Sequence, residues 1–296
     1  MKKLKVGIIG TGNIGTDLLM KIKNSEVLQC TMFAGRNPES EGIKIAGSMG
    51  IPTSINSINA IINNPDCCDI VLDATDAKAH LHHAQILKEL DKFTIDLTPS
   101  RVGKMCIPAL NLDECLNSNN INLVTCGGQA SVPIAYAIFK AQPDTEYIEI
   151  AASISSKSAG PGTRANIDEY TQTTKDAVRL FTGVKISKSI LSLNPAEPPV
   201  LMHNTIYALI KNPDMDKIKK EVKKMENAIK EYVPGYKVSV GPIYENGRVV
   251  TIVEVVGAGD FLPAYSGNLD IITCAAVKVA EEYAKLKINQ GSELDE

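Results

Sequence analysis

The sequence contains no tryptophan, and aromatic residues make up only 5% of its 296 positions. Single-stranded nucleic acid is held largely on stacked aromatic side chains, so that class of partner is disfavoured. Neither sign of charge dominates. Thirty-one Lys and Arg stand against 34 Asp and Glu, a net charge of −3, whereas a nucleic-acid or anionic-membrane binder carries a basic footprint. No apolar run approaches the ~20 residues of a membrane span. The basic start MKKLK leads into only four apolar-rich positions, 6–9, and reads as a first strand rather than a targeting segment. Seven cysteines are an odd number at irregular spacing, with no CxxC pair and no Cys/His cluster of zinc type. The expectations are therefore no disulfide framework, no metal, no nucleic acid, no membrane, and a reducing, cytoplasmic compartment.

What is present has the length of about two domains, at ~150 residues each. Strands are expected at 4–9, 27–33, 69–74, 93–97 and 122–125. Helices are expected at 11–23, 41–49, 57–63 and 78–90, the first with Ile14, Leu18, Leu19 and Ile22 on one face. Alternating strands and helices imply an α/β, Rossmann-type, doubly wound parallel sheet. The pattern changes after Cys126. A helix is expected at 131–140, strands at 147–154, 185–193, 205–210, 236–240 and 248–256, and helices at 167–181, 215–232 and 269–286. That succession implies a mainly antiparallel α+β second domain. The stripe Ile218, Val222, Met225 and Ile229 belongs to a core or to an interface. The polar tail from Gly291 is expected to fray.

Gly10-Thr11-Gly12-Asn13-Ile14-Gly15 follows an expected strand and opens an expected helix, the context that makes G-x-G-x-x-G a dinucleotide site. The first glycine permits the turn, the second lets backbone N–H groups approach a pyrophosphate, and the third lets helix and sheet close together. The second strand ends in Ala34-Gly35-Arg36-Asn37, with no carboxylate for a ribose hydroxyl. Arg36 suits either a 2′-phosphate or stacking on an adenine, which leaves NAD and NADP both open.

Cys126 ends an apolar strand, and Gly127 and Gly128 follow before a helix. A thiol there lies at the ligand-binding edge of such a sheet. An adjoining helix N-terminus is expected to lower its pKa, and the N–H groups of 127–130 to hold an oxyanion. A thiolate beside a nicotinamide adds to an aldehyde, gives up a hydride as a thiohemiacetal, and hands the resulting acyl group to an acceptor.

Several segments resemble one family: GTGNIGTDL at 10–18, DATDAKAH at 73–80, IDLTPS at 95–100, VTCGGQAS at 124–131, SKSAGPGTRANIDEYT at 156–171, LNPAEPP at 193–199, YVPGY at 232–236 and LPAYSGNLDI at 262–271. In this order they resemble the acylating acetaldehyde dehydrogenases that partner 4-hydroxy-2-oxovalerate aldolase. The resemblance implies that Cys126 is the acyl-thioester cysteine and that Thr11 to Ile14 contact the nucleotide. It further implies cofactor contacts from Ser158, Ala159, Gly160, Pro161, Gly162, Thr163, Arg164, Ala165 and Asn166, and from Asn268. A final helix would return to the nucleotide domain. The implied activity is reversible oxidation of acetaldehyde, or another short aldehyde, to the acyl-CoA. It uses NAD (or NADP, given Arg36) and coenzyme A in the catabolism of aromatic hydrocarbons. A homodimer and an aldolase complex are the implied partners. The expected division is 1–128 with 267–296 for the dinucleotide, and 129–266 for catalysis and dimerisation.

The chain departs from the family where relatives carry Arg-Asp before a Thr, an Asp thought to assist the cysteine; here His203-Asn204 stands. Asn204 cannot act as a base, and His203 is the adjacent titratable group, on the opposite face of a strand. His80, His82 and His83 cluster on one helix with no partner carboxylate evident. Two other classes of function remain: a phosphate-dependent semialdehyde or acyl-phosphate reductase, and a dinucleotide sensor without turnover.

Overall fold

The computed structural model describes residues 3–294, which form two compact units, 3–123 with 273–294 and 124–272. Against the expected division at 128/129 and 266/267, these boundaries put Cys126 and Asn268 in the second unit.

The first unit runs β1 (Leu4–Ile9), α1 (Asn13–Lys23), β2 (Leu28–Ala34), α2 (Glu41–Ser48), β3 (Thr53–Ser54), α3 (Asn59–Ile62), β4 (Ile70–Asp73), α4 (Ala77–Glu89), β5 (Phe93–Asp96), β6 (Lys104–Met105), α5 (Pro108–Cys115) and β7 (Asn120–Asn122). Its seven strands are parallel in the order β3-β2-β1-β4-β5-β7-β6. Because β1 has β2 on one side and β4 on the other, the winding reverses there, and the crevice beyond those strand ends is where such sheets bind ligands. All four residues of β4 are buried, as continuous apolar strands in two-sided parallel sheets are. Asp76 caps α4 by accepting the Ala79 N–H at 2.9 Å. The strand expected at 122–125 is displaced: β7 ends at Asn122, and Val124 has φ +61°, a left-handed conformation that ends strand geometry.

The second unit holds α6 (Cys126–Ala141), β8 (Tyr147–Ser155), α7 (Pro161–Ala165), α8 (Ile167–Thr182), β9 (Ile186–Asn194), β10 (Met202–Leu209), α9 (Met215–Lys230), β11 (Tyr236–Glu245) and β12 (Arg248–Val255). The sheet order is β11-β12-β10-β8-β9, antiparallel except where β8 runs parallel to β9. Along β10, Met202, Asn204, Ile206 and Ala208 are buried while the alternating residues are half-exposed. The stripe on α9 packs within the unit, against α6 and β11, with Ile218, Val222 and Ile229 buried.

The last helix, α10 (Gly267–Leu294), starts in the second unit and continues through the first. There Thr273 donates to Asp17 at 2.5 Å, Ser25 donates to Glu281 at 2.6 Å, and Tyr283 stacks on Phe93 with centroids 3.6 Å apart. The helix continues through Leu294, so the tail expected to fray from Gly291 is helical to that point, and Asp295 and Glu296 lie outside the described residues. Among the described residues no helix is long and apolar enough to cross a membrane.

Candidate active site

At the nucleotide end, the three glycines are required for different reasons. Gly10 has φ +109°, and a Cβ there would lie 2.5 Å from the Ala74 carbonyl oxygen beyond β4. A Cβ on Gly15 would lie 1.8 Å from the Gly10 carbonyl oxygen, so only glycine lets α1 start this close to β1. Gly12, by contrast, meets nothing within 4 Å. It is the residue before α1, its φ of −81° suits any amino acid, and no side chain caps the helix there. Among the described residues nothing fills the space at Gly12 and no side chain caps the helix start, and a diphosphate fits both. Thr11 is buried and bonded to Ser40 at 3.0 Å, whereas Gly12 and Asn13 are exposed and Ile14 is half-buried. Arg36 is exposed just past β2.

The same sheet edge carries a buried polar row. Register pairs Asp73 with Asp96 and Asp96 with Asn122 across β4, β5 and β7. The histidine cluster does have a carboxylate: His80 Nδ1 and His83 Nδ1 each lie 2.8 Å from Asp73 Oδ2. The spacing of α4 could not show this, because the partner is on the preceding strand. His82 is exposed. Burial opposes the Asp73 charge, but the two imidazoles outweigh it and hold the carboxyl well below the usual range. Burial likewise opposes a charged His80. Its bond to Asp73 and the nearby Asp96 prevail and raise its pKa. Burial dominates at Asp96 and pushes it up to about 6.

In the second unit, Cys126 is the first residue of α6 and not the last of a strand. Two glycines sit inside the helix because Thr125 caps it: its hydroxyl accepts the Gly128 N–H at 2.8 Å and its carbonyl accepts the Gln129 N–H at 2.8 Å. Those two N–H groups are therefore not available to an oxyanion, which corrects the expectation for Gly128 and Gln129. Val124, fully buried and β-branched, is held at φ +61° immediately before the cap. Backbone strain of this kind costs about 1–3 kcal/mol and gathers at functional sites.

The Cys126 sulfur has Tyr170 Oη 3.7 Å away on α8. Its surroundings raise the thiol pKa, where a lowering was expected from the helix terminus. Desolvation is the largest cause, and Tyr170 and the N–H groups of Gly127 and Cys126 offset it in part. Tyr170 is itself buried, and a Cβ on Gly127 would lie 2.0 Å from its hydroxyl. Asn204, fully buried on β10, donates through Nδ2 to the Ser131 hydroxyl at 2.7 Å and to the Gly127 carbonyl at 3.3 Å. His203 points to the other sheet face, with Nε2 2.7 Å from Glu254 and Nδ1 3.0 Å from the Leu201 carbonyl. The Tyr170 contact escaped the sequence reading, because no spacing ties α8 to α6; Val124 and Thr125 stood beside Cys126, but their left-handed φ and helix cap were hidden by the expectation of a strand there.

The stretch 155–162 is a 3₁₀ turn (Ser156–Ser158) leading into α7. Arg164 folds back on its own loop, donating to the Ala159 carbonyl at 3.0 Å and to Ser156 at 2.9 and 2.8 Å. Ser158 is buried and donates to the Ser155 carbonyl at 2.9 Å, and Asn166 donates to the Gly162 carbonyl at 2.7 Å. Gly160, Pro161, Gly162, Thr163 and Ala165 remain half-buried or exposed, and a Cβ on either glycine would meet nothing. Asn268, at 1% exposure near the start of α10, has neither side-chain polar atom hydrogen-bonded among the described residues. A buried polar group with no partner is an exception in folded proteins, and a ligand is one thing that can supply the missing bond.

A parallel sheet with a glycine turn at its reversal point and a second unit with a cysteine at a capped helix start have the features of a dinucleotide-dependent dehydrogenase. Comparison with known families agrees. Residues 5–117 match the family "Semialdehyde dehydrogenase, NAD binding domain", and residues 126–263 match "Prokaryotic acetaldehyde dehydrogenase, dimerisation". The chain is 54% identical over 288 residues to an acetaldehyde dehydrogenase of Pectobacterium atrosepticum, covering 97% of both chains. It is 53% identical to one of Spirochaeta aurantia over 284 residues and 96% of both chains. It is 50% identical to one of Geobacillus stearothermophilus over 290 residues, 97% of this chain and 98% of the relative. The chain belongs to the acetaldehyde dehydrogenase family.

Proposed function

We propose that this protein oxidises acetaldehyde, or another short aldehyde, to the acyl-CoA, with Cys126 as nucleophile and NAD or NADP as oxidant. The observation that supports this most is the placement of Cys126 at the first turn of α6, behind a strained Val124 and a capped helix start. The sulfur lone pair forms the bond to the aldehyde carbon, and the carbonyl π pair moves to oxygen, which takes up a proton to give a thiohemiacetal. The bound dinucleotide supplies the acceptor for the hydride that leaves this carbon, and loss of the hydroxyl proton yields a thioester on Cys126. The thiol of coenzyme A then attacks the thioester carbonyl and the Cys126 thiol is returned.

The residues serve this sequence in distinct ways. The N–H of Gly127 faces the sulfur, Gly10, Gly12 and Gly15 open the cradle for the diphosphate, and Thr11, Asn13 and Ile14 line its entry. The loop 158–166 and the unpartnered amide of Asn268 fit polar contacts to the cofactor. Arg36 selects between the cofactors. The dimerisation match supports a homodimer, and the resemblance supports a working complex with a 4-hydroxy-2-oxovalerate aldolase. Incubation with acetaldehyde and oxidised dinucleotide, without coenzyme A, tests the core of this reading. Mass spectrometry should find one acetyl group on the peptide containing Cys126; an unmodified Cys126 alongside reduced dinucleotide would contradict it.

A further inference from the structure

We propose that Tyr170 is a catalytic residue, its hydroxyl donating to the Cys126 sulfur once that sulfur is a thiolate. The inference rests on the assignment of Cys126 as nucleophile and adds the group that makes its ionised form tenable.

The problem Tyr170 addresses is set by the site itself. A thiolate is needed for attack, yet the sulfur is surrounded by protein that disfavours its charge. Among the described residues no carboxylate or imidazole bonds to it. The β10 residue facing α6 is Asn204, whose donating nitrogen is spent on Gly127 and Ser131, and the ring nitrogens of His203 are held by Glu254 and Leu201 on the other sheet face. The side-chain hydroxyl at 3.7 Å is Tyr170.

A count of protons around Tyr170 shows what its hydroxyl has left to give. Thr174 donates its single proton to the Tyr170 backbone carbonyl at 2.9 Å. In the 2.7 Å contact between Thr174 and Thr125, Thr125 must therefore be the donor. Thr125 has then used its proton as well, and one of its lone pairs takes the Gly128 N–H. Neither threonine can donate further. The Tyr170 proton has two destinations, the remaining lone pair of Thr125 and the Cys126 sulfur. A charge-assisted bond to a thiolate is the stronger of the two. As a thiol, Cys126 donates to Tyr170; on losing its proton to solvent it becomes the acceptor and the same contact reverses.

Burial and the adjacent sulfur keep the phenol protonated far above neutral pH, so it acts as a fixed donor and does not compete for the proton. When the sulfur bonds to the aldehyde carbon its negative charge passes to the aldehyde oxygen, and the Tyr170 hydroxyl is released from the sulfur. Gly127 is part of the arrangement, because any side chain there would displace the phenol.

The experiment is the pH dependence of iodoacetamide alkylation at Cys126 in the cofactor-free protein. It is followed by peptide mass mapping on wild type, Tyr170→Phe and Thr174→Val. Tyr170→Phe removes one oxygen and should raise the alkylation midpoint by about one pH unit, the effect of one hydrogen bond to a charged group. At pH 7 the alkylation rate would fall about tenfold with it. Thr174→Val disturbs the neighbouring hydroxyls while keeping the phenol, and should leave the midpoint in place. An unmoved midpoint in Tyr170→Phe, or equal shifts in both variants, would overturn the proposal. Cys126→Ala separates this outcome from failure of the functional reading. Turnover that survives Cys126→Ala removes the nucleophile itself, whereas an inactive Cys126→Ala with an unmoved Tyr170→Phe midpoint removes only the role of Tyr170.

Discussion

Asp73 accepts two imidazoles on a single oxygen: His80 and His83, one turn apart on α4, both reach Oδ2 at 2.8 Å. A carboxylate buried at the end of a central strand is thereby compensated from the helix that follows it. The pairing gives the first unit a stability that depends on pH.

The sign follows from three shifts. Asp73 is lowered, so its contribution is present above the ordinary Asp value and is lost as pH falls through its folded value. His80 is raised, so its contribution is full below the ordinary His value and is lost as pH rises through the folded one. Asp96, raised to about 6, favours folding while protonated, and that contribution is lost as pH climbs through this region. The melting temperature should therefore fall from pH 5 to pH 8. Asp96→Asn, which removes the group that must ionise in a buried place, should flatten that slope in thermal denaturation by circular dichroism.

Gly12→Ala and Gly15→Ala separate binding from folding. Gly12 touches nothing and has an ordinary φ, so the alanine variant should fold with stability within ~1 kcal/mol of wild type. Its dinucleotide affinity should fall at least about tenfold, because the methyl group occupies the space for the diphosphate. At Gly15 the added carbon would sit on the Gly10 carbonyl, and that variant should lose about 1–3 kcal/mol of stability as well. Fluorescence titration with NADH and urea denaturation report the two quantities.

Asn204→Asp places a carboxylate where an amide nitrogen now donates to Gly127 and Ser131. A buried charge facing a carbonyl oxygen should destabilise the second unit by about 3 kcal/mol, read from urea denaturation. Asn204→Asp should therefore not improve turnover in this chain.

Asn268→Leu should hold or raise the melting temperature, since an unpartnered buried amide costs about 1–3 kcal/mol. It should weaken dinucleotide binding at the same time. A variant with lower stability and unchanged binding would show that the amide serves the fold instead.

Much of this was legible in the sequence. The glycine turn set between strand and helix located the nucleotide end, and the continuous apolar run of β4 and the stripe on α9 are local patterns that read directly. The proposed nucleophile, Cys126, stood out as a cysteine beside two glycines. Its surroundings did not, because they depend on contacts across elements: Tyr170 is 44 residues from Cys126, and Asn204 reaches Gly127 across 77. The start of α6 was misplaced by five residues, because Gly127 and Gly128 disfavour helix and the Thr125 cap overrides them. Asp73 as the partner of His80 and His83 was hidden for the same reason, since the strand and helix meet only once the sheet is wound.

The central claim is a thioester route through Cys126. Its most direct test is the rate of dinucleotide reduction with acetaldehyde, with and without coenzyme A and with phosphate in its place, for wild type and Cys126→Ala. The account predicts turnover that requires coenzyme A, is not supported by phosphate, and is lost in Cys126→Ala. Turnover that is independent of coenzyme A, driven by phosphate, or retained without the cysteine would contradict it.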